Sequence, residues 1–245
     1  MTDAPFEIFG TPRQGGFLII GDHASNRIPD DIDLGIDPAF LREHIAWDIG
    51  VVEVARLIAK DSRFAAYLGG YSRLVVDLNR DVDDAAAIPA QSDGIVIPSN
   101  YLALSEKEAR LERFHRPYHN HLQQLLSQHR PALILSLHSF TPVLESKPQE
   151  ARPWEVGVLY NEQKAASELA IPFLEEAGYC VGDQLPYSGK LLNATMNRHA
   201  EANDIPYIGI EMRQDLSSNS DGQARYARTL AEMCHFVSEQ LGLLL

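Results

Sequence analysis

Two apolar runs of this chain end abruptly in polar residues of types able to bind metals. Phe17-Leu18-Ile19-Ile20 passes into Gly21-Asp22-His23-Ala24-Ser25-Asn26. Ala132-Leu133-Ile134-Leu135-Ser136-Leu137 passes into His138-Ser139-Phe140. Such runs read as buried strands. Parallel α/β sheets bind ligands beyond the carboxyl ends of their strands. His23 and His138 delivered to one sheet edge are candidate metal ligands; the alternative is two buried histidines hydrogen-bonded at strand ends. A third run, Pro206-Tyr207-Ile208-Gly209-Ile210, ends in Glu211. A half-buried glutamate there suits a general base, because burial raises its pKa towards working pH. The competing role is an ion pair with Arg213.

Asp48 lies on the stripe Leu41, Ile45, Val52, Ala55, spaced as one face of a helix. An inward carboxylate is costly unless it is paired or holds a metal. It is therefore a third metal ligand, a support for a ligand histidine, or the partner of a buried arginine. Ser72-Arg73-Leu74-Val75-Val76-Asp77-Leu78-Asn79-Arg80 reads as a strand with its donors at the ends. Arg73, Asn79 and Arg80 could grip a carboxylate, unless the arginines pair with nearby Asp81 or Asp83. His115 and His119 share a helix face without the Glu of a zinc-protease helix, and read as packing or substrate contacts. His199 has no assigned role. The segment Pro186-Tyr187-Ser188-Gly189-Lys190 could cover a pocket. Neither Ser25 nor Ser139 lies in Gly-x-Ser-x-Gly, and the chain has no glycine-rich phosphate loop.

The elements that must position these groups follow from the pattern. Strands are expected near 16–22, 64–68, 73–78, 132–138, 155–160, 179–183 and 205–211. Helices are expected over 37–60 with Asp37 as cap, over 105–129 from a capping box at Ser105 with a kink at Pro117, over 162–177 ended by Gly178, and over 221–243. Alternating strands and helices imply a three-layer αβα domain, residues 1–245, with a mostly parallel sheet.

Composition narrows the partners. The 245 residues carry a net charge of −13, which argues against nucleic acid and against anionic membrane surfaces. No apolar run approaches the ~20 residues of a membrane span. The start, Met1-Thr2-Asp3-Ala4-Pro5, lacks the pattern of a signal peptide. Cys180 and Cys234 form no framework, so free thiols in the cytoplasm are expected.

Together the motifs resemble the N-formylglutamate amidohydrolase family. The resemblance rests on His23-Ala24-Ser25-Asn26-x-Ile28-Pro29, Trp47-Asp48, Ser72 to Arg80, Pro117-Tyr118-His119, His138-Ser139, Pro186-Tyr187-Ser188-Gly189 and Ile210-Glu211. Ser-Arg-x-x-x-Asp-x-Asn-Arg is its most specific part. The family is similar to zinc-dependent exopeptidases. That likeness implies one zinc ion on His23 and His138, Glu211 as catalytic base and Arg73 as a catalytic arginine. It also implies a small anionic N-acyl amino acid as substrate, such as N-formyl-L-glutamate, bound by Arg80, Asn79, Arg213, His119, Tyr187 and Ser188. Asn26 stands where the exopeptidases carry a ligand Glu, so Asp48 is the preferred third ligand, with Asp22 and Asn26 as alternatives. Members serving histidine degradation are more polar around Trp47-Asp48. The resemblance thus implies the reaction class more firmly than the acyl group, and other N-acyl or peptide amides and a non-catalytic binding role stay open. It leaves the oligomeric state unassigned.

Overall fold

Four of the expected strands make the middle of a seven-stranded sheet in the computed structural model, which describes residues 4–243. Met1 to Asp3, part of the stretch read for a leader, lie outside the described residues. In chain order the strands are β1 (Phe6–Phe9), β2 (Phe17–Gly21), β3 (Phe64–Gly69), a short hairpin β4 (Gln91–Ser92) and β5 (Ile95–Val96), β6 (Leu133–Phe140), β7 (Val156–Leu159), β8 (Val181–Asp183) and β9 (Tyr207–Arg213). The main sheet runs β1-β3-β2-β6-β9-β7-β8. Its centre, β3-β2-β6-β9, is parallel, whereas β1 and β7 join it antiparallel. The carboxyl ends of β2, β6 and β9 therefore lie side by side.

The helices are α1 (Val51–Ile58), α2 (Leu104–Arg110), α3 (Arg116–Gln128), α4 (Ala165–Glu176), α5 (Ala194–His199), α6 (Gln214–Ser217) and α7 (Ser220–Gln240). One face of the sheet packs Ile19, Leu135 and Ile208 against α1, α4 and α7. The other packs Leu18, Ile20 and Ile134 against Phe114, Tyr118 and Leu122 of the α2–α3 arm and Met196 of α5. This is the three-layer αβα architecture. Among the described residues no helix is long and apolar enough to cross a membrane.

Three expected elements take another form, each for a local reason. The helix over 37–60 is broken. Asp37 does cap, accepting from the Ala39 N–H at 2.8 Å, but the turn it starts ends at Arg42. Helix resumes only at Val51, behind Gly50 at φ +88°, a conformation costly for other residues. The strand expected over 73–78 is a chain of turns. The Ser72 hydroxyl accepts from the Leu74 N–H and the Asp77 carboxylate accepts from the Asn79 N–H, side-chain bonds that compete with a ladder. Its Leu74, Val75 and Val76 are buried without strand pairing. Ahead of Pro117, where a kink is expected, the chain forms a π-helical turn over Leu111–His115, which suits a proline that removes an intrahelical donor. At the start of that arm Glu106 accepts from the Ala103 N–H at 2.8 Å, so the cap lies before Leu104 rather than at Ser105. Gly178, at φ +84°, ends α4 as expected.

Candidate active site and metal centre

His138 and Glu211 are partners in register on β6 and β9, so their side chains stand next to each other on one face of the sheet. His23 follows β2, the neighbour of β6 on its other side. Its carbonyl accepts from the Asp48 N–H at 2.8 Å, which draws the segment before α1 over the strand ends. Asp48 is inward, as its sequence position suggested. It lies in irregular backbone before α1 rather than on a helix.

One ligand atom from each of His23, Asp48 and His138 lies within 4.8 Å of the other two. Asp48 Oδ2 is 2.9 Å from His138 Nδ1 and 3.4 Å from His23 Nδ1. Ligands about 2 Å from a tetrahedral zinc stand roughly 3.3 Å apart, so the spacing suits a shared cation. All three residues are buried. His23 Nδ1 and Glu211 Oε2 are buried without a hydrogen-bond partner, an arrangement that is costly unless a further ligand satisfies them. These donors, two imidazoles and a carboxylate, are those of zinc sites, and they fit a divalent cation.

A second layer of carboxylates supports the first. His23 Nε2 donates to Asp77 Oδ1 at 2.7 Å. His138 Nε2 faces Asp22 Oδ2 at 3.6 Å, and Asp22 Oδ1 accepts from the Tyr118 hydroxyl at 2.7 Å. Asp22 thus stands behind His138 and outside the three-residue cluster. Asn26 is also outside it, donating to the Leu41 carbonyl at 2.8 Å.

The charges sort themselves accordingly. Burial and the Arg73 charge work against protonation of His23, but Asp77 and Asp48 outweigh them and raise its pKa to about 9. Burial likewise opposes the charged form of His138, and Asp48 turns the balance upward. Burial disfavours ionised Asp48 and Asp77, yet the surrounding histidines, with Arg73 beside Asp77, hold both carboxyls well below the usual range. Glu211 has the opposite balance. Burial, reinforced by Asp48, raises it to about 7 against the pull of His138 and Arg73.

These groups open on a cavity of about 260 Å3, room for a small molecule rather than a folded chain. His23, Asp48, His138, Glu211, Arg73, Asn79, Arg80 and Tyr187 line it. Arg73 is largely spent on acids, 2.8 Å from Asp77 and 3.4 Å from Asp48. Arg80 has a longer contact with Asp77, at 3.9 Å. Asn79 Oδ1 accepts from the Thr195 N–H at 3.0 Å, so the donor end of the amide is left for the cavity.

Three residues expected at the substrate lie off its wall. His119 is behind it. Its Nε2 donates to the Leu78 carbonyl and its Nδ1 accepts from His199 Nε2, both at 2.9 Å. Burial, then His115 and His199, hold it neutral. With His115 Nε2 donating to the Arg80 carbonyl at 2.9 Å, these histidines brace the segment that carries Asn79 and Arg80. Arg213 pairs with Asp215 at 2.9 Å and reaches the Pro153 carbonyl. Ser188 accepts from the Lys190 N–H within a turn. Helical spacing correctly grouped His115 with His119, but it could not show that their partners are carbonyls.

Sequence reasoning missed Asp77. The test applied to Asp48, a carboxylate among buried apolar neighbours, would have found it in Val75-Val76-Asp77-Leu78. The far rim of the cavity was missed as well. There Asp93 accepts from His44 Nε2 and the Glu145 N–H, each at 3.0 Å, and from the Ser146 hydroxyl, joining three loops.

The family model for N-formylglutamate amidohydrolase matches residues 15–217. A crystal structure of a gene product of Agrobacterium tumefaciens superposes with a TM-score of 0.91 at 27% identity, covering 98% of this chain and 96% of that one. An N-formylglutamate amidohydrolase from Ralstonia eutropha gives a TM-score of 0.76 at 21% identity, covering 97% and 98%. A bacteriophage poly-γ-glutamate hydrolase shares the fold more distantly, with a TM-score of 0.50 at 12% identity over 99% and 93% of the two chains. No curated protein matches the sequence.

Proposed function

The chain belongs to the N-formylglutamate amidohydrolase family, hydrolases of amide C–N bonds, and from that premise we propose that it cleaves the N-formyl group from an acidic amino acid with the help of one zinc ion. The observation that carries the reading is the buried meeting of His23, Asp48 and His138 beside Glu211, with His23 Nδ1 and Glu211 Oε2 unpartnered.

His23, Asp48 and His138 would hold the ion, which supplies Lewis-acid polarisation of water and of the acyl oxygen. Glu211 takes a proton from the attacking water and delivers it to the amine nitrogen as the C–N bond breaks. The water oxygen leaves in formate and the amine leaves as glutamate. Arg73, at the cavity wall, would stabilise the negative charge that grows on the acyl oxygen. Arg80 and the Asn79 amide hold a substrate carboxylate. Their local field serves an anion despite the net charge of −13, since distant surface charges are screened.

The test is formate release from N-formyl-L-glutamate by the purified chain, before and after chelation and after zinc is restored. Activity is expected to disappear and return. Formate release indifferent to both treatments overturns the metal reading. Turnover of other N-acyl amino acids, with none of the formyl compound, overturns the assigned acyl group.

A further inference from the structure

Arg152 precedes β7 and is only 8% exposed. A buried guanidinium is ordinarily paired with an acid. Among the described residues its polar contacts are instead with a phenol and a carbonyl. Its Nη1 donates to the Tyr187 hydroxyl at 3.0 Å and to the Thr141 carbonyl at 3.4 Å. Its Cζ stands 5.1 Å from the Tyr187 ring centroid.

That contact constrains the hydroxyl. A phenol has one proton and acceptor lone pairs, whereas arginine only donates. With Arg152 donating to Tyr187, the tyrosine's own proton must seek an acceptor elsewhere, and Tyr187 lines the cavity. Burial, with Glu211 nearby, raises the Tyr187 pKa, so the proton stays on the oxygen. The neighbouring cation also polarises the O–H and strengthens it as a donor to an anion.

Counting charges leads to the same side chain. Arg73 is held at 2.8 Å by Asp77 and also faces Asp48. Among the described residues, Arg80, at 3.9 Å from Asp77, is the cavity-lining arginine without a short acidic partner, and Arg152, likewise without one, stands behind the lining residue Tyr187. Two such centres match a ligand with two carboxylates.

We propose that Arg152 is a specificity-setting positioning residue. It holds the Tyr187 hydroxyl so that its proton points into the cavity and donates to the second carboxylate of a dicarboxylic N-acyl amino acid. The first carboxylate is held by Arg80 and Asn79. The inference rests on the amidohydrolase reading above.

The experiment compares N-formyl-L-glutamate with N-formyl-L-glutamine, which differs in one charge, as substrates for wild type, Arg152→Gln, Tyr187→Phe and the double variant. Arg152→Gln is expected to lower the glutamate-to-glutamine ratio of kcat/KM about 10- to 100-fold, chiefly through KM, the size of a lost charge-assisted hydrogen bond. Tyr187→Phe should do the same and the double variant no more, because Arg152 acts through Tyr187. Arg152→Lys should restore part of the ratio, which also guards against misfolding of the glutamine variant. An unchanged ratio in Arg152→Gln, or additive effects in the double variant, overturns the proposal. Calorimetric titration with glutarate and with its monoamide reads the same discrimination without turnover. Wild type that prefers glutarate but releases no formate sinks the amidohydrolase reading alone. Wild type with no preference sinks the role of Arg152.

Discussion

His23 Nε2 donates to Asp77 Oδ1 at 2.7 Å, and the contact fixes which nitrogen of His23 faces Asp48. With Nε2 committed, Nδ1 is the atom presented 3.4 Å from Asp48 Oδ2. Asp77 also holds Arg73 at 2.8 Å and accepts from the Asn79 N–H at 3.0 Å. One carboxylate thus orients a proposed metal ligand, the arginine assigned to the proposed reaction and the start of the segment proposed to bind a substrate carboxylate.

Replacing Asp77 should therefore act on the metal before it acts on chemistry. Asp77→Asn is expected to weaken zinc binding about 10- to 100-fold, as loss of such supporting carboxylates does elsewhere. Competition against a chelator of known affinity measures it. Zinc affinity equal to wild type would show that His23 needs no such support.

Glu211 sets the acid side of the pH profile. Its pKa is raised to about 7 without a metal and a base must be ionised to work, so kcat/KM is expected to fall as acid protonates Glu211. A bound divalent cation moves this limb to lower pH by favouring the carboxylate. Glu211→Gln should cut kcat about 100- to 10,000-fold while zinc binding persists. Near-wild-type kcat in that variant would remove Glu211 from the mechanism.

The metal-free protein should lose stability in alkali. The folded pKa of His23, about 9, is above the 6.5 of an ordinary histidine. Its contribution is fully present below pH 6.5 and is lost as pH rises through 9. The loss is on the order of 3 kcal/mol. Zinc requires the unprotonated imidazole, so the loaded protein should lack this decline and bind more tightly as pH rises. Urea melts of both forms at pH 6 and 9.5 decide it. A metal-free protein no weaker relative to the loaded form at pH 9.5 contradicts the assignment.

The chain's local pattern was sufficient wherever a single element carries the signal. The apolar runs ending at His23, His138 and Glu211 mark the ligand-binding edge because apolar side chains give way there to polar ones, which stay buried. Asp48 could be read as inward because a carboxylate among apolar neighbours needs a partner. The same pattern misled where the backbone finds partners in side chains. Leu74-Val75-Val76 has a strand's composition, but Ser72 and Asp77 bond its flanking amides and turn it. Gly50 broke a helix that the spacing of Leu41, Ile45 and Val52 favoured.

What the tertiary structure alone decided is pairing between distant residues. Arg152 and Tyr187 are 35 positions apart, and His119 and His199 are 80 apart. No periodicity joins such residues, because the strand crossovers and loops that bring them together are set by packing of the whole sheet. The sequence determined which groups are able to do chemistry. The fold determined which of them touch, and so placed His119 and Arg213 outside the cavity and Asp77 at its wall.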